Sequence, residues 1–167
     1  MNTLHIVMGA PAAGKTTYAK RLAKEKKASL IDIDSATERV VQAGLDLATK
    51  NPDDRDSPFF KDSFREPIYE TLFAIAEDNL CHNSVILVGP FTLEARDANW
   101  LENLKLRFGT SVCAHFITCD PETRHQRMAK RGNPRDLVKL EDWENYILYY
   151  KGDNPPAFLH KYVDTSS

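Results

Sequence analysis

The sequence predicts a single α/β domain built on a parallel sheet, and three observations carry that reading. The apolar run Leu4-His5-Ile6-Val7-Met8 feeds directly into the small-residue stretch Gly9-Ala10-Pro11-Ala12-Ala13-Gly14-Lys15-Thr16-Thr17, which opens a basic helical pattern. Short apolar runs then alternate with stretches of helical periodicity, the pattern of strands joined by crossover helices. The chain's 167 residues, 42% of them hydrophobic, are enough for one domain with a real core.

The stretch from Gly9 to Thr17 has the form G-x-x-x-x-G-K-T, that of a phosphate-binding loop. Phosphates are densely negative, and small residues let successive backbone N–H groups point inward at them. Gly9, Ala12, Ala13, Gly14, Lys15, Thr16 and Thr17 are therefore the expected nucleotide-binding set. Lys15 reaches for the β/γ-phosphates and the Thr16 hydroxyl is placed to ligate Mg²⁺. The helix that opens near Gly14 turns its positive end toward the anion. The motif predicts a bound nucleoside triphosphate without saying which reaction follows.

Lys and Arg number 22 against 24 Asp and Glu, a net charge of −2. That balance argues against extended electrostatic binding to nucleic acid or membrane, while leaving room for a local basic channel. Cys81, Cys113 and Cys119 are widely spaced and odd in number, so neither a disulfide framework nor a zinc site is expected. They read as buried thiols of a cytoplasmic protein. The five histidines show no metal-ligand spacing. No signal-peptide pattern precedes the loop, and no apolar run approaches membrane-spanning length.

The first helix is expected over about residues 15–27, with Tyr18, Ala19, Leu22 and Ala23 inward. Residues 28–34 follow as a strand in which Asp32 and Asp34, two apart, share a face at the carboxyl end. Parallel sheets hold their ligands at that end, and the first strand delivers the phosphate loop to the same edge. Ser35-Ala36-Thr37-Glu38 has the form of a capping box, and the helix it starts is expected to stop at Gly44. Residues 45–60, centred on Asn51-Pro52-Asp53-Asp54-Arg55-Asp56-Ser57-Pro58, read as a polar loop. Ile68, Leu72, Ile75, Ala76 and Leu80 recur at helical spacing, with Pro67 in the first turn and Arg65 and Tyr69 at the start. Arg65 is placed to meet an anionic or hydroxylic acceptor, with a solvated arginine as the equal alternative.

Residues 84–88 make an apolar central strand ending at Gly89-Pro90, where many phosphate-loop NTPases carry an aspartate that holds Mg²⁺. The missing aspartate puts that work on Asp32 and Asp34 and argues against a motor or an AAA+ machine. Thr92 reads as the cap of a helix running to Phe108, with Leu93, Trp100, Leu101, Leu104 and Phe108 buried and Arg96 toward the acceptor side. A strand over 112–118 leads to Asp120-Pro121, the cap and first position of a helix on which Arg124, Arg127 and Arg131 share a stripe. Gly132-Asn133-Pro134 breaks that helix just before Arg135. Stacked like charges cost a little stability, which an opposing anion offsets, although a solvated basic face explains Arg124 as well. Asp136 is the expected cap of a last long helix with Leu137, Leu140, Trp143, Ile147 and Tyr150 inward and Gly152 as its end. A short strand over 159–163 follows.

In GAPAAGKTT, IDID and CDPETRHQRMAKRGNPRD the chain resembles the small P-loop kinases: shikimate and gluconate kinases, zeta toxin kinases, chloramphenicol phosphotransferase, 5′-hydroxyl polynucleotide kinases and short AAA-domain ATP-binding proteins. The resemblance implies a three-layer P-loop NTPase fold with five parallel strands in the order 2-3-1-4-5. It also implies an acceptor-binding insert at about 45–66 and an arginine lid at about 127–137, all in one domain spanning 1–167. By the same resemblance Asp34 is the general base or acceptor anchor, and Asp32 holds a water on Mg²⁺. Arg127 packs on the base, Arg131 reaches the γ-phosphate, and Arg135 is a second candidate for it.

The expected activity is transfer of the γ-phosphoryl group of ATP, with Mg²⁺, to a hydroxyl held near Asp34, with Lys15 and Arg131 as catalytic partners and Arg65 and Arg96 on the acceptor. Three acceptor readings stay open: a small molecule or nucleotide, which is favoured; a hydroxyl of DNA or RNA, for which only the lid offers a basic track; and no acceptor at all, in an ATPase or nucleotide-binding module. The absence of an N-K-x-D motif argues against a GTPase switch. No membrane partner is expected, and the chain acts as a monomer or homodimer.

Overall fold

The computed structural model describes residues 1–150 and 153–166. Its strands are β1 (Thr3–Gly9), β2 (Ser29–Asp32), β3 (Val85–Val88), β4 (Ser111–Thr118) and β5 (Lys161–Asp164). They form one parallel sheet in the order β2-β3-β1-β4-β5. The helices are α1 (Lys15–Lys26), α2 (Ile33–Thr49), α3 (Pro58–Leu80), α4 (Trp100–Phe108), α5 (Pro121–Arg131), α6 (Leu137–Glu141) and α7 (Trp143–Tyr149). None of the described helices is long and apolar enough to cross a membrane.

The period of two in β1 builds both layers. Leu4, Ile6 and Met8 pack with Leu72, Phe73, Leu87, Phe91 and Leu104 beneath α3 and α4. Val7 faces the other way, with Tyr18, Ala19, Leu22, Ile86 and Ile117 beneath α1. Burial on both faces is what a central parallel strand requires, and it brings the carboxyl ends of β1, β2 and β3 to one edge.

Several boundaries differ from the sequence expectation, each for a local reason. β2 ends at Asp32, whose carboxylate accepts the backbone N–H of Asp34 at 3.0 Å and caps α2. Asp32 and Asp34 therefore do not share a strand face, and the cap is Asp32 rather than Ser35. α2 continues past Gly44 to Thr49 because that glycine receives the Phe64 ring: a Cβ there would sit 3.0 Å from two ring carbons. Much of the expected loop over 45–60 is helix, because the Ser57 hydroxyl accepts from the Phe60 N–H and Pro58 opens α3. Pro67 thus lies inside a 23-residue helix instead of in its first turn.

Thr92 does not cap a long helix. A 3₁₀ turn at Glu94–Arg96 intervenes, its Ala95 carbonyl accepting the N–H of Ala157, and Leu93 stays exposed. The single last helix is instead a 3₁₀ turn at Pro134–Asp136 followed by α6 and α7, broken at Asp142 with φ −132°. Asp136 is buried in an ion pair and makes no side-chain cap, and Leu137 is exposed. The expected helix end at Gly152 falls outside the described residues. Of the cysteines expected to be buried, only Cys119 is; Cys81 and Cys113 reach the surface.

A polar chain runs through the α1 side of the core. Tyr18 Oη lies 2.8 Å from His115 Nδ1, and His115 Nε2 lies 3.1 Å from His5 Nδ1. One shared proton satisfies the two facing ring nitrogens, whereas a second would set two N–H groups against each other. Burial, with the charges of His5, Lys161 and Lys26 behind it, pushes His115 down from 6.5 to about 4. His5 is also lowered, by burial and Lys26. The native pair stays neutral while the unfolded chain takes up protons first, so stability is present above the unfolded value and is lost as pH falls below it. Chemical denaturation should give a flat stability between pH 8 and 7 and a loss of about 2 kcal/mol by pH 5 from His115 alone; no change over that interval would refute the assignment.

Candidate active site

The phosphate loop connects β1 to α1 in a backbone that few residues adopt. Gly9 has φ 143°, and a Cβ there would lie 2.1 Å from the Ile117 carbonyl oxygen, so glycine is required for the close approach to β4. Ala12 and Gly14 also have positive φ, 61° and 95°. The Lys15 ammonium donates to the Ala10 carbonyl at 2.8 Å, across the loop. Burial drives its pKa down to about 8; the charges of Arg131 and Arg124 push the same way, and those of Asp34 and Asp32 oppose them. These groups are therefore all close enough to Lys15 to share one field.

Asp32 links loop and sheet. Its Oδ2 accepts the Thr16 hydroxyl at 2.7 Å while Oδ1 caps α2. It pairs in register with Val88, next to the Gly89 where a metal-holding aspartate is missing. Mg²⁺ keeps several waters and takes one or two protein oxygens beside substrate phosphates. A hydroxyl and a carboxylate at hydrogen-bonding distance fit that donor set, and Thr16 and Asp32 are the residues that would hold the ion.

Asp34 occupies the first turn of α2 and is gripped by Arg135 from the 3₁₀ turn after α5. Arg135 Nη2 and Nη1 donate to its two oxygens at 2.8 and 3.1 Å, and Nη1 also reaches Glu38 at 3.4 Å. Burial alone would raise the Asp34 carboxyl, but the bound Arg135 guanidinium, with Lys15 and Arg55 behind it, holds it below the usual carboxylate value. Lys139 of α6 adds contacts to Asp56 at 3.4 Å and to the Arg135 carbonyl at 3.1 Å.

The other predicted arginines divide. Arg131 is bound by the buried Asp136 at 2.6 and 2.9 Å, across the bend where Gly132 takes φ 59°. Arg127 donates to the Thr165 hydroxyl and carbonyl at 2.9 and 2.7 Å, and Thr165 in turn donates to Ala13 of the loop. Arg65 forms a forked pair with Glu94 over the Tyr69 ring, and Arg96 donates to the Asn154 carbonyl at 2.7 Å. Neither of these two contacts Asp34. Thr17 is exposed on α1 beside Thr16.

Two residues escaped the sequence reading. Arg55, in the turn between α2 and α3, lies over the Phe60 ring with Nη2 shielded from solvent, 4.0 Å from Glu38 and without a hydrogen-bond partner among the described residues. Its one signal is a lone cation among Asp53, Asp54 and Asp56. Arg124, which a solvated face would have explained, is 1% exposed.

Residues 4–152 match the AAA_33 family model, an AAA domain. The chain belongs to that family. Its fold is that of the small P-loop kinases, similar to that of a protein designated a kinase from Chloroflexus aurantiacus J-10-fl (21% identity, TM-score 0.68, covering 99% of this chain and 89% of that one). It is similar also to a sugar kinase from Janibacter sp. HTCC2649 (18%, TM-score 0.53, 98% and 85%). A gluconokinase from Sinorhizobium meliloti 1021 shares the fold at 13% identity and TM-score 0.54, covering 99% and 83%. No curated protein matches the chain.

Because Asp32 serves both the α2 cap and Thr16, Asp32→Ala should lower stability by about 1–2 kcal/mol in chemical denaturation. Asp32→Asn, which keeps an accepting oxygen, should recover most of the loss. Equal losses in the two variants would show that the cap is not what Asp32 contributes.

Proposed function

We propose that the chain is an ATP-dependent kinase that transfers the γ-phosphoryl group to a hydroxyl of a small polar acceptor held at Asp34. One observation carries the reading: Asp34 opens α2 within the electrostatic reach of the phosphate-loop Lys15, in a lid-covered cluster with Arg135, Glu38 and Arg55. The sugar kinase and gluconokinase that share the fold support a hydroxyl-bearing acceptor. Interleaved guanidinium donors and carboxylate acceptors suit a polyhydroxylated molecule better than a duplex end. Arg65 and Arg96 stand at the margin of that acceptor region.

ATP sits on the amides of Gly9 to Thr17, with Arg127 beside the loop on the nucleobase side and Thr16 and Asp32 holding Mg²⁺, which neutralises phosphate charge when bound. Phosphoryl transfer passes through a loose transition state, so an acceptor hydroxyl needs orientation more than early proton removal. An ionised Asp34 with a lowered pKa serves as that anchor and takes up the proton late. Lys15 and Arg131 meet the charge that develops on the transferred group. Arg135 exchanges between the Asp34 carboxylate and phosphate oxygens as the acceptor hydroxyl takes its place.

A screen of γ-labelled ATP against sugars, sugar acids, nucleosides, hydroxyl amino acids and 5′-hydroxyl oligonucleotides should label a small polyhydroxylated acceptor. ATP consumption without a labelled acceptor would reject the kinase reading, and labelling confined to oligonucleotides would replace its acceptor.

Lys15 gives a second test. With its pKa near 8 before binding, a triphosphate beside it must raise that value, so binding takes up a proton near pH 8.5 and affinity falls as pH rises further. Calorimetry in buffers of different ionisation heats should find net uptake at pH 8.5 and little at pH 6.5; uptake of zero at both would contradict the geometry.

A further inference from the structure

Arg124 is the most deeply buried cation of the arginine stripe, and nothing in the phosphate-transfer scheme uses it. Three directions of its guanidinium are accounted for. Nε donates to the Pro11 carbonyl of the phosphate loop at 3.2 Å. Nη1 is paired with Asp153 at 2.6 Å, and Nη2 reaches the Tyr146 hydroxyl at 3.4 Å. The planar group is walled by Trp143, Tyr146 and Tyr150, whose ring centroids lie 5.8, 5.9 and 5.8 Å from its central carbon. One side chain on α5 therefore ties the phosphate loop to α7 and to the start of the connection into β5. A lysine at this position would supply the charge but not a fork that spans loop, carboxylate and hydroxyl at once.

We infer that Arg124 is a positioning residue that sets the phosphate loop for ATP and links its occupancy to α7. The inference rests on the reading of Gly9–Thr17 as the ATP loop, and not on any acceptor. Nucleotide phosphates that draw the loop's amides inward shift the Pro11 carbonyl, and the rigid guanidinium passes that shift to the aromatic wall. Trp143 stands in that wall, so the chain carries its own reporter. Of its tryptophans, Trp100 packs instead against Phe91 and Phe158 in the core and can be silenced conservatively.

The experiment is made on the full chain with Trp100→Phe, so that emission comes from Trp143 alone, and ATP affinity is read separately by calorimetry. Added Mg²⁺-ATP should change the Trp143 emission. Arg124→Lys should weaken ATP affinity by about tenfold or more and abolish the emission change at ATP saturation. It should raise KM while leaving kcat within about threefold, as expected for binding lost equally in the ground and transition states. Asp153→Asn, which spares the Pro11 contact, should reduce the emission response while changing affinity less than Arg124→Lys does.

An Arg124→Lys chain that binds ATP within twofold of the parent, or an emission change that survives in it, would overturn the proposal. So would a Trp143 that ignores ATP in the parent. Should Arg124→Lys fail to fold, a response in Asp153→Asn equal to the parent's overturns it alone. A parent that does not bind ATP at all would overturn the reading of the loop and the proposal with it. One that binds ATP but phosphorylates nothing leaves this proposal standing and removes only the kinase reading.

Discussion

The tie on which the site depends is the ion pair between Arg135 and Asp34. It joins the cation-rich segment after α5 to the first turn of α2, just beyond the carboxyl end of β2. A forked guanidinium–carboxylate contact is among the stronger polar interactions available, and this one is half-shielded from water. It holds the Asp34 carboxyl below its usual value, and Lys139 on Asp56 is a second contact from the same segment. Arg131 is held in the same forked way by Asp136, Arg124 is paired with Asp153, and Arg127 donates to the hydroxyl and carbonyl of Thr165. These three arginines are therefore fixed by the fold, which in the proposed scheme pre-orients Arg131 for charge stabilisation.

The sheet makes this convergence possible. With β1 central and buried on both faces, the loop that follows it, the end of β2 and the end of β3 share one edge, and α5 returns from β4 beside them. Glycine at position 9 is the geometric condition, since any side chain would strike the Ile117 carbonyl of β4. In the proposed scheme Asp32 would do at the end of β2 what an aspartate after β3 does in many phosphate-loop NTPases. The change of strand leaves Gly89 free to sit against the Phe91 ring.

The fold was legible because its signals are local and redundant: the loop follows a fully apolar strand, and Asp120-Pro121 marks α5 as plainly as any cap can. Boundaries failed where tertiary contacts overrode local signals. Gly44 looked like a helix stop, but its lack of a side chain serves the packing of Phe64 instead. Asp34, read as a strand residue, lies in the first turn of α2, and Asp32 both ends β2 and caps that helix, because capping depends on a backbone turn that a pattern of alternating residues does not reveal. The arginine stripe was visible, yet the partner of each arginine was not. Asp136, Asp153 and Thr165 lie on segments whose approach is set by the lid and the last strand. Arg124 seemed explicable as part of a solvated face, and its burial follows from an aromatic cluster at Trp143, Tyr146 and Tyr150, of which the sequence pattern showed only Trp143 and Tyr150 as inward-facing.

In the proposed function a hydroxyl is oriented at Asp34 for attack on the γ-phosphate. Phosphoryl transfer by Asp34→Asn at saturating ATP, set beside its ATP affinity, isolates that role. An amide keeps the size of the carboxylate but cannot carry its charge or accept a proton. Transfer should fall by about 10²-fold or more with ATP affinity within a few-fold of the parent, and full transfer by Asp34→Asn would rule the role out.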